Sequence, residues 1–589
     1  MTLSYLARRF VRPGRFQPAL LLALSLVVVA PRYAQCGERS DEAVRSSELF
    51  ARQLETGEFA PALEAARGVA SPSQRDAWLA QLAEAQAGAG QREGAFKTLA
   101  HVEDDQTRSA AIRATRETAS ATGAQGGAQA DFDTLIEMIT TTVRPDTWEE
   151  VGGPGTISEF NNGVYVDASG VLQRAIRPPQ AKGLAVARLD ALKADGNTNS
   201  RRASPMRKVS LTRLEKHVQL RWAAGRQPSD EMLHLAGLEK IQYVMVYPES
   251  GDLVLAGPAS DWQVDDEGRA VSRASGRPVV QLDDLVVVLR YLTAAPQATF
   301  GCSINPTQEG LARTKQFAQR SAAQPLKPAS RDAWLRTLRR QMGRQSISVE
   351  GIDPRTRVAR VLVEADYRMK LVGMGLEEGT ADVPSYLDLI KVAPGEAPPP
   401  LEVLRWWFTL NYDAIEATKD RDAFEIVGPG VQVMSENELL TALGRRVHTG
   451  KSEPLNAEFA HRFTQNFEAL AQKYPVYADL QNIFDLAMVS ALIQSQQLAN
   501  RVGWHMTCFL DPEQYQVALG AAPQSVDTVI NHRVVNRRHI IVGVSGGVRV
   551  APWTFVSGAG VATDSYGALQ AHRAHSQAGD LPIEAWWWD

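Results

Sequence analysis

An α+β, multi-domain fold is what this 589-residue sequence predicts. Three observations predict it. Residues 41–117 are dominated by Ala and Leu and show no strand-like alternation. From Leu238 the pattern turns to short β-rich runs closed by turn residues. Beyond Pro454, long segments again carry apolar residues at helical spacing. With 44% hydrophobic and 22% charged residues the chain can bury real cores. A net charge of −4 gives no general attraction to nucleic acid, so none is expected as a partner.

The chain opens on a targeting pattern. Arg8, Arg9, Arg12 and Arg15 precede the apolar run ALLLALSLVVVA at 19–30. That run falls short of the ~20 residues a bilayer core needs. Residues 1–36 therefore read as a signal peptide, with Ala34 and Cys36 as the small residues before a cut after Cys36. No later apolar run reads as spanning. The expectation is an exported protein of the periplasm or cell envelope, with no transmembrane span in the mature chain. Export permits a disulfide between Cys302 and Cys508; two buried free thiols satisfy the sequence equally.

Residues 41–117 are expected to form three or four helices. GEFAPALEAARGV from Gly57 aligns with GQREGAFKTLAHV from Gly90 at an offset of 33, with Trp78, Leu79, Leu82 and Ala83 between. That spacing resembles tetratricopeptide helix pairs, which bind other proteins; a plain helical bundle is the alternative. Residues 118–130 are a Gly/Ala/Ser-rich linker, 131–170 a small α/β module, and 171–210 a second linker. Thr212-x-x-Glu215 is a capping box opening a helix. The basic run from Arg201 to Arg221 reads as a solvated linker and helix face.

Residues 211–450 read as an α+β region with a duplicated ββα unit. In the first, Tyr243 to Tyr247 and Leu253 to Leu255 flank a turn at Pro248–Gly251, and a helix follows around Leu285–Leu292. In the second, SISVEGIDPRTRVARVLVEADYRM reads as a hairpin turning at Asp353-Pro354, with a short helix around Tyr386–Ile390. Residues 451–502 read as a helical pair. Pro454 suits a helix start, Phe459, Phe463, Phe467 and Leu470 share a face, and Pro475 ends that helix. The next helix has a wide apolar face and must be packed. Residues 503–589 read as β-rich.

Chemistry-bearing motifs are few. Gly543-Val544-Ser545-Gly546-Gly547 fits G-x-S-x-G, which makes Ser545 the one catalytic candidate. A nucleophile elbow needs a helix after the serine, and VRVAPWTFV continues as strand, so a glycine-rich turn between two strands is favoured. His532 and His539, seven apart on one expected strand, fall on opposite faces. His572 and His575 lie near the end of the chain, and nothing completes a zinc-type spacing, so no metal and no cofactor are expected. Gly152-Gly153-Pro154-Gly155 fails as a phosphate cradle, because Pro154 removes a donor and a hairpin, TISEF-NNG-VYVD, follows. Trp406-Trp407 and the terminal Trp586-Trp587-Trp588 are candidates for exposed aromatics that stack sugars or anchor partners.

The run Leu135, Ile136, Ile139, Thr142, Val143, Pro145, Trp148, Gly152, Gly153, Gly155, Ile157 resembles a short motif of secretin N-terminal domains. The resemblance implies that Trp148 plugs a small core and that the module serves protein assembly. FGCSINPTQEGL, ARVLVEADYRMKLVGMGLE, VQVMSENELL and TVINHRVVNRRHIIVGVSGGV, within about 236–560, resemble a domain-of-unknown-function family typical of exported planctomycete proteins. The reading that follows is an exported envelope protein, a non-catalytic protein-binding or scaffold protein with other envelope proteins as partners. The alternative is a serine hydrolase using Ser545.

Overall fold

The computed structural model describes residues 46–123, 156–160, 163–167, 199–322, 330–391, 401–441, 443, 445–535, 538–557, 560–564, 567–579, 581–582 and 585–589. The expected signal peptide, Trp148 and the 152–155 glycines lie outside them. The hairpin after those glycines is present: Thr156–Phe160 pairs antiparallel with Gly163–Asp167.

The N-terminal segment is helical, with five helices rather than three or four: residues 46–56, Phe59–Arg67, Pro72–Gly88, Arg92–Leu99 and Asp105–Gly123. Phe50 stacks on Trp78 inside it. The last of these helices docks on Leu211–Ala223, where buried Arg108 donates to Gln219.

Two sheets build the body. The larger runs, in order, Arg446–His448, Gly430–Leu440, Leu401–Asn411, Arg538–Val550, Phe300–Pro306, Gln345–Glu350 and Ser525–Val526. Ile530–Val535 also pairs with Arg538–Val550, on the same edge as Phe300–Pro306 but earlier along the strand. Buried Gln345 closes the fork between those two partners, donating to Val544 O and accepting from Val529 N. The smaller sheet runs Val561–Thr563, Ala414–Ala417, Ala423–Val427, Tyr243–Tyr247, Asp252–Ala259, Ser204–Ser210 and Trp587–Trp588. One continuous excursion ties the sheets together. The chain leaves the large sheet after Asn411, adds two strands to the small one, and returns at Gly430. Gly428, at φ 127°, makes the return corner, where a Cβ would meet Asp413 N at 2.6 Å.

Helix Pro475–Ser495 packs against Leu282–Ala294, Arg357–Gly373 and Gly430–Leu440, and is buried from Val476 to Ile493. By length and mean hydropathy (1.3) this helix could cross a membrane, which corrects the expectation that no later run is long enough. Here it is wholly enclosed by protein, and its buried Asp485 accepts from Tyr412 Oη at 2.7 Å. A single hydrophobic cluster reaches from Val209 to Trp586. The segments 211–450, 451–502 and 503–589 therefore share one core.

Several expectations are corrected. The second hairpin does not exist: Gln345–Glu350 is a strand, but Arg357–Gly373 is a helix, so there is no duplicated ββα unit. Its dense β-branched residues suggested strand. Yet Val358, Leu362, Ala365, Met369 and Val372 recur at helical spacing and are buried, and Thr356 caps the first turn by accepting from Ala359 N. The helix expected at Thr212 forms at Leu211–Ala223, but Ser210 is its cap and Glu215 points into the core. Pro475 starts the next helix, after a break at Asn466. The basic run is not solvated throughout: Arg207 is fully buried and grips Asp589, while Arg213 pairs with Asp252. Cys302 and Cys508 are both buried and unbridged.

Candidate functional site

Alternation along Leu401–Asn411 separates two faces of the large sheet. Leu404, Trp406, Phe408 and Leu410 are buried in the main core. There Trp406 Nε1 donates to Asn456 Oδ1 at 2.6 Å. Arg405, Trp407 and Thr409 are only partly buried on the other side. Helices Gln308–Ala322 and Arg331–Met342 cover one end of that second face, around Leu401, Leu440 and Ile541. The rest is open. Trp407 lies under the Arg405 guanidinium at 4.4 Å, opposite exposed Met434 on one neighbour and Gly547 on the other. The hydroxyls of Ser303 and Ser348 meet at 2.7 Å further across.

Ser545 sits on this second face, beside Arg405. It is not in a turn. Arg538–Val550 is one unbroken strand, so the expected strand–turn–strand is corrected. The physical reason is close packing. Gly546 and Gly547 let Trp406 O and Cys302 O approach to 1.6 and 1.9 Å of where a Cβ would stand. Glycine here serves strand-to-strand approach, not reversal.

Ser545 is fully buried, and its Oγ donates to Glu438 Oε2 at 3.0 Å. Glu438 also takes Arg446 (3.2 Å) and His448 Nδ1 (3.2 Å). Glu436 accepts from Gly450 N at 2.7 Å and from Arg405 at 3.2 Å, with His448 at 3.3 Å. Burial works against its ionisation, but these donors win and hold its carboxyl below the usual range. The cluster thus unites Ser, Glu and His, but in the order Ser–Glu–His. Acyl transfer needs the imidazole next to the hydroxyl, with the carboxylate behind it. With Glu438 between them this is not the Ser–His–acid order, and the Ser545 hydroxyl is fully buried.

Beside the cluster opens a groove of about 800 Å³, lined by Lys315, Glu402, Glu438, Leu439, Lys451 and Glu453 among others. Burial raises Glu402; a 2.9 Å hydrogen bond from Tyr386 opposes this, and nearby Glu453 adds to it.

The other sequence candidates fall elsewhere. His532 and His539 lie on two strands, not one, since Ile530–Val535 pairs antiparallel with Arg538–Val550. His532 is buried beside Trp334, ring centroids 5.4 Å apart. His572 and His575 belong to helix Ala568–His575, and His572 stacks on Tyr243. The terminal tryptophans are core, not surface: Trp586 and Trp588 are buried, and Trp587 lies under Arg207 at 4.6 Å. The final residues gain this burial by adding an edge strand to Ser204–Ser210.

Sequence reading missed the buried pair Asp366–Lys370, although its i,i+4 spacing in an apolar helix was a visible signal. It also missed Arg357, which joins Asp284 to Asp479 across three helices. No spacing in the chain betrays that contact.

A family model described as "Protein of unknown function (DUF1598)" matches residues 302–386. That stretch holds two strands of the large sheet, the two helices covering its second face, and the helix bearing Asp366 and Lys370. No curated protein and no solved structure matches the chain.

Proposed function

We propose that this is an exported cell-envelope protein acting as a non-catalytic binding scaffold, with the open face of the large sheet as its docking surface. The observation that carries this reading is the face itself. A tryptophan plane under an arginine, flanked by Met434, Glu436 and His448 over a glycine floor, offers apolar and charged contacts together. Tryptophan and arginine are the residues that most often anchor protein interfaces. The N-terminal helices, with their resemblance to tetratricopeptide pairs, would supply a second surface, and the secretin-like motif fits the same assembly role. Export is supported by the Arg-rich start and its short apolar run.

The test is photo-crosslinking from position 407 in intact cells, with fractionation of the same cells. Adducts to envelope proteins are expected, and Arg405→Glu should remove adducts formed from a neighbouring position, 434, without changing the circular dichroism. Recovery of the protein solely in the cytoplasm, or stoichiometric labelling of Ser545 by a fluorophosphonate, would sink the proposal.

A further inference from the structure

A second site lies where the N-terminal helices meet the body. Asp104 and Asp105 stand at the start of helix Asp105–Gly123, and His505 follows Trp504 in the loop after Pro475–Ser495 and the short helix Leu498–Arg501. One ligand atom from each of the three lies within 4.8 Å of the others, and they form the one such group of His, Cys, Asp or Glu among the described residues. Four hundred positions separate Asp105 from His505, so no sequence spacing could reveal the group.

Much of this corner is already committed. Asp104 Oδ2 caps the helix by accepting from Thr107 N at 2.7 Å. Asp105 Oδ2 accepts from His505 N at 2.8 Å. Arg108, the nearest cation of the helix, spends its guanidinium on Gln219, Val102 O and Glu103 O. Asp105 Oδ1 is different. Asp105 is only 4% exposed, yet this oxygen has no hydrogen-bond partner, and it faces His505 Nε2 at 4.0 Å. That separation is too long for a hydrogen bond. A buried carboxylate oxygen without a donor has lost its water and gained nothing in exchange, so such atoms call for an explanation.

We infer that Asp104, Asp105 Oδ1 and His505 Nε2 form a binding site for a divalent transition-metal ion, of the zinc or manganese class, that clasps the N-terminal helices to the body. The donor set decides the class. Two carboxylates and one imidazole suit borderline ions, lack the thiolates that soft ions select, and supply too few oxygens for calcium. Zinc bonds of about 2.0–2.2 Å place ligand atoms roughly 3.4 Å apart. The present spread is wider than that, so binding would draw the three side chains together, with water completing the shell. The ion would also neutralise two adjacent carboxylates. His505 is partly exposed, which leaves an entry path.

The experiment uses the tag-free protein, stripped with EDTA and titrated with zinc chloride and manganese chloride by calorimetry, with calcium chloride as the control. One equivalent of zinc or manganese should bind and raise the melting temperature, and calcium should not. Cobalt at the same site should give d–d bands that zinc displaces. His505→Ala removes a ligand at an accessible position with little structural cost and should weaken binding at least tenfold; Asp105→Asn, checked for native circular dichroism, should do the same. Absence of binding to the native protein overturns the inference. So does binding that His505→Ala leaves unchanged, since the ion would then sit elsewhere.

Discussion

Replacing Gly546 by Ala tests the packing of the central strand directly. A Cβ there would stand 1.6 Å from Trp406 O and 2.7 Å from Trp406 C, and the backbone sits at φ 155°. Neither neighbour is the soft end of a side chain. Gly546 is bonded in register to Trp406 on one side and Ile304 on the other, so the strand cannot slide away from one without straining the other. Relief requires separating two backbones by nearly 2 Å, which breaks ladder hydrogen bonds. Overpacking costs about 1–3 kcal/mol, and each ladder group left unsatisfied adds about 1–3 kcal/mol. The expected loss is about 4 kcal/mol. Gly543, three residues earlier in the same strand, is the internal control. Its Cβ would meet Met342 Cε at 3.5 Å, an ordinary contact. Gly543→Ala should therefore change stability by less than about 1 kcal/mol. Denaturant unfolding followed by tryptophan fluorescence, with Trp406 beside the substitution, reads both variants in the same transition. Equal midpoints for Gly546→Ala and Gly543→Ala would refute the close-approach argument.

Ser545→Ala removes one hydrogen bond to Glu438 but leaves Arg446 and His448 on that carboxylate, so a loss of about 1–2 kcal/mol is expected, with no change in fluorophosphonate labelling. Lys370→Met strands the fully buried Asp366 and should cost about 3–5 kcal/mol, whereas adding Asp366→Leu should recover most of it; a double variant as unstable as the single would contradict the pairing. Burial pushes Glu215 up to about 7 from 4.5, despite donors from Phe509 N and Trp504 Nε1. The native state therefore holds a proton there that the unfolded chain has lost, and this contribution to stability is fully present below pH 4.5 and fades as pH rises to 7, by about 3 kcal/mol. Glu215→Gln should flatten the pH profile of unfolding across that window, and an unchanged profile would count against it. Cys302 and Cys508 are buried and their thiols are raised by desolvation, so a thiol reagent should react with both only after unfolding.

What the sequence determined by itself was local. Helical spacing identified the N-terminal helices, the aromatic face at Phe459, Phe463 and Phe467, and the need to bury Pro475–Ser495, because period and apolar content act within a single element. The hairpin Tyr243–Tyr247 with Asp252–Ala259 was legible through its turn residues. Tertiary structure decided the rest. Whether ARVLVEADYRM became strand or helix depended on the core it packs against and on the Thr356 cap, since β-branched propensity is weak enough for packing to override it. Whether the glycines around Ser545 turned the chain or let strands close on one another depended on neighbours at 300–306 and 401–411, far away in the chain. The same holds for the sites. Ser545 was visible as a motif, but Glu438 and His448, which define its chemistry, arrive on two other strands. Asp105 meets His505 only because the helices dock on the body. Side chains converge in space through long-range contacts, and a linear pattern carries no record of them.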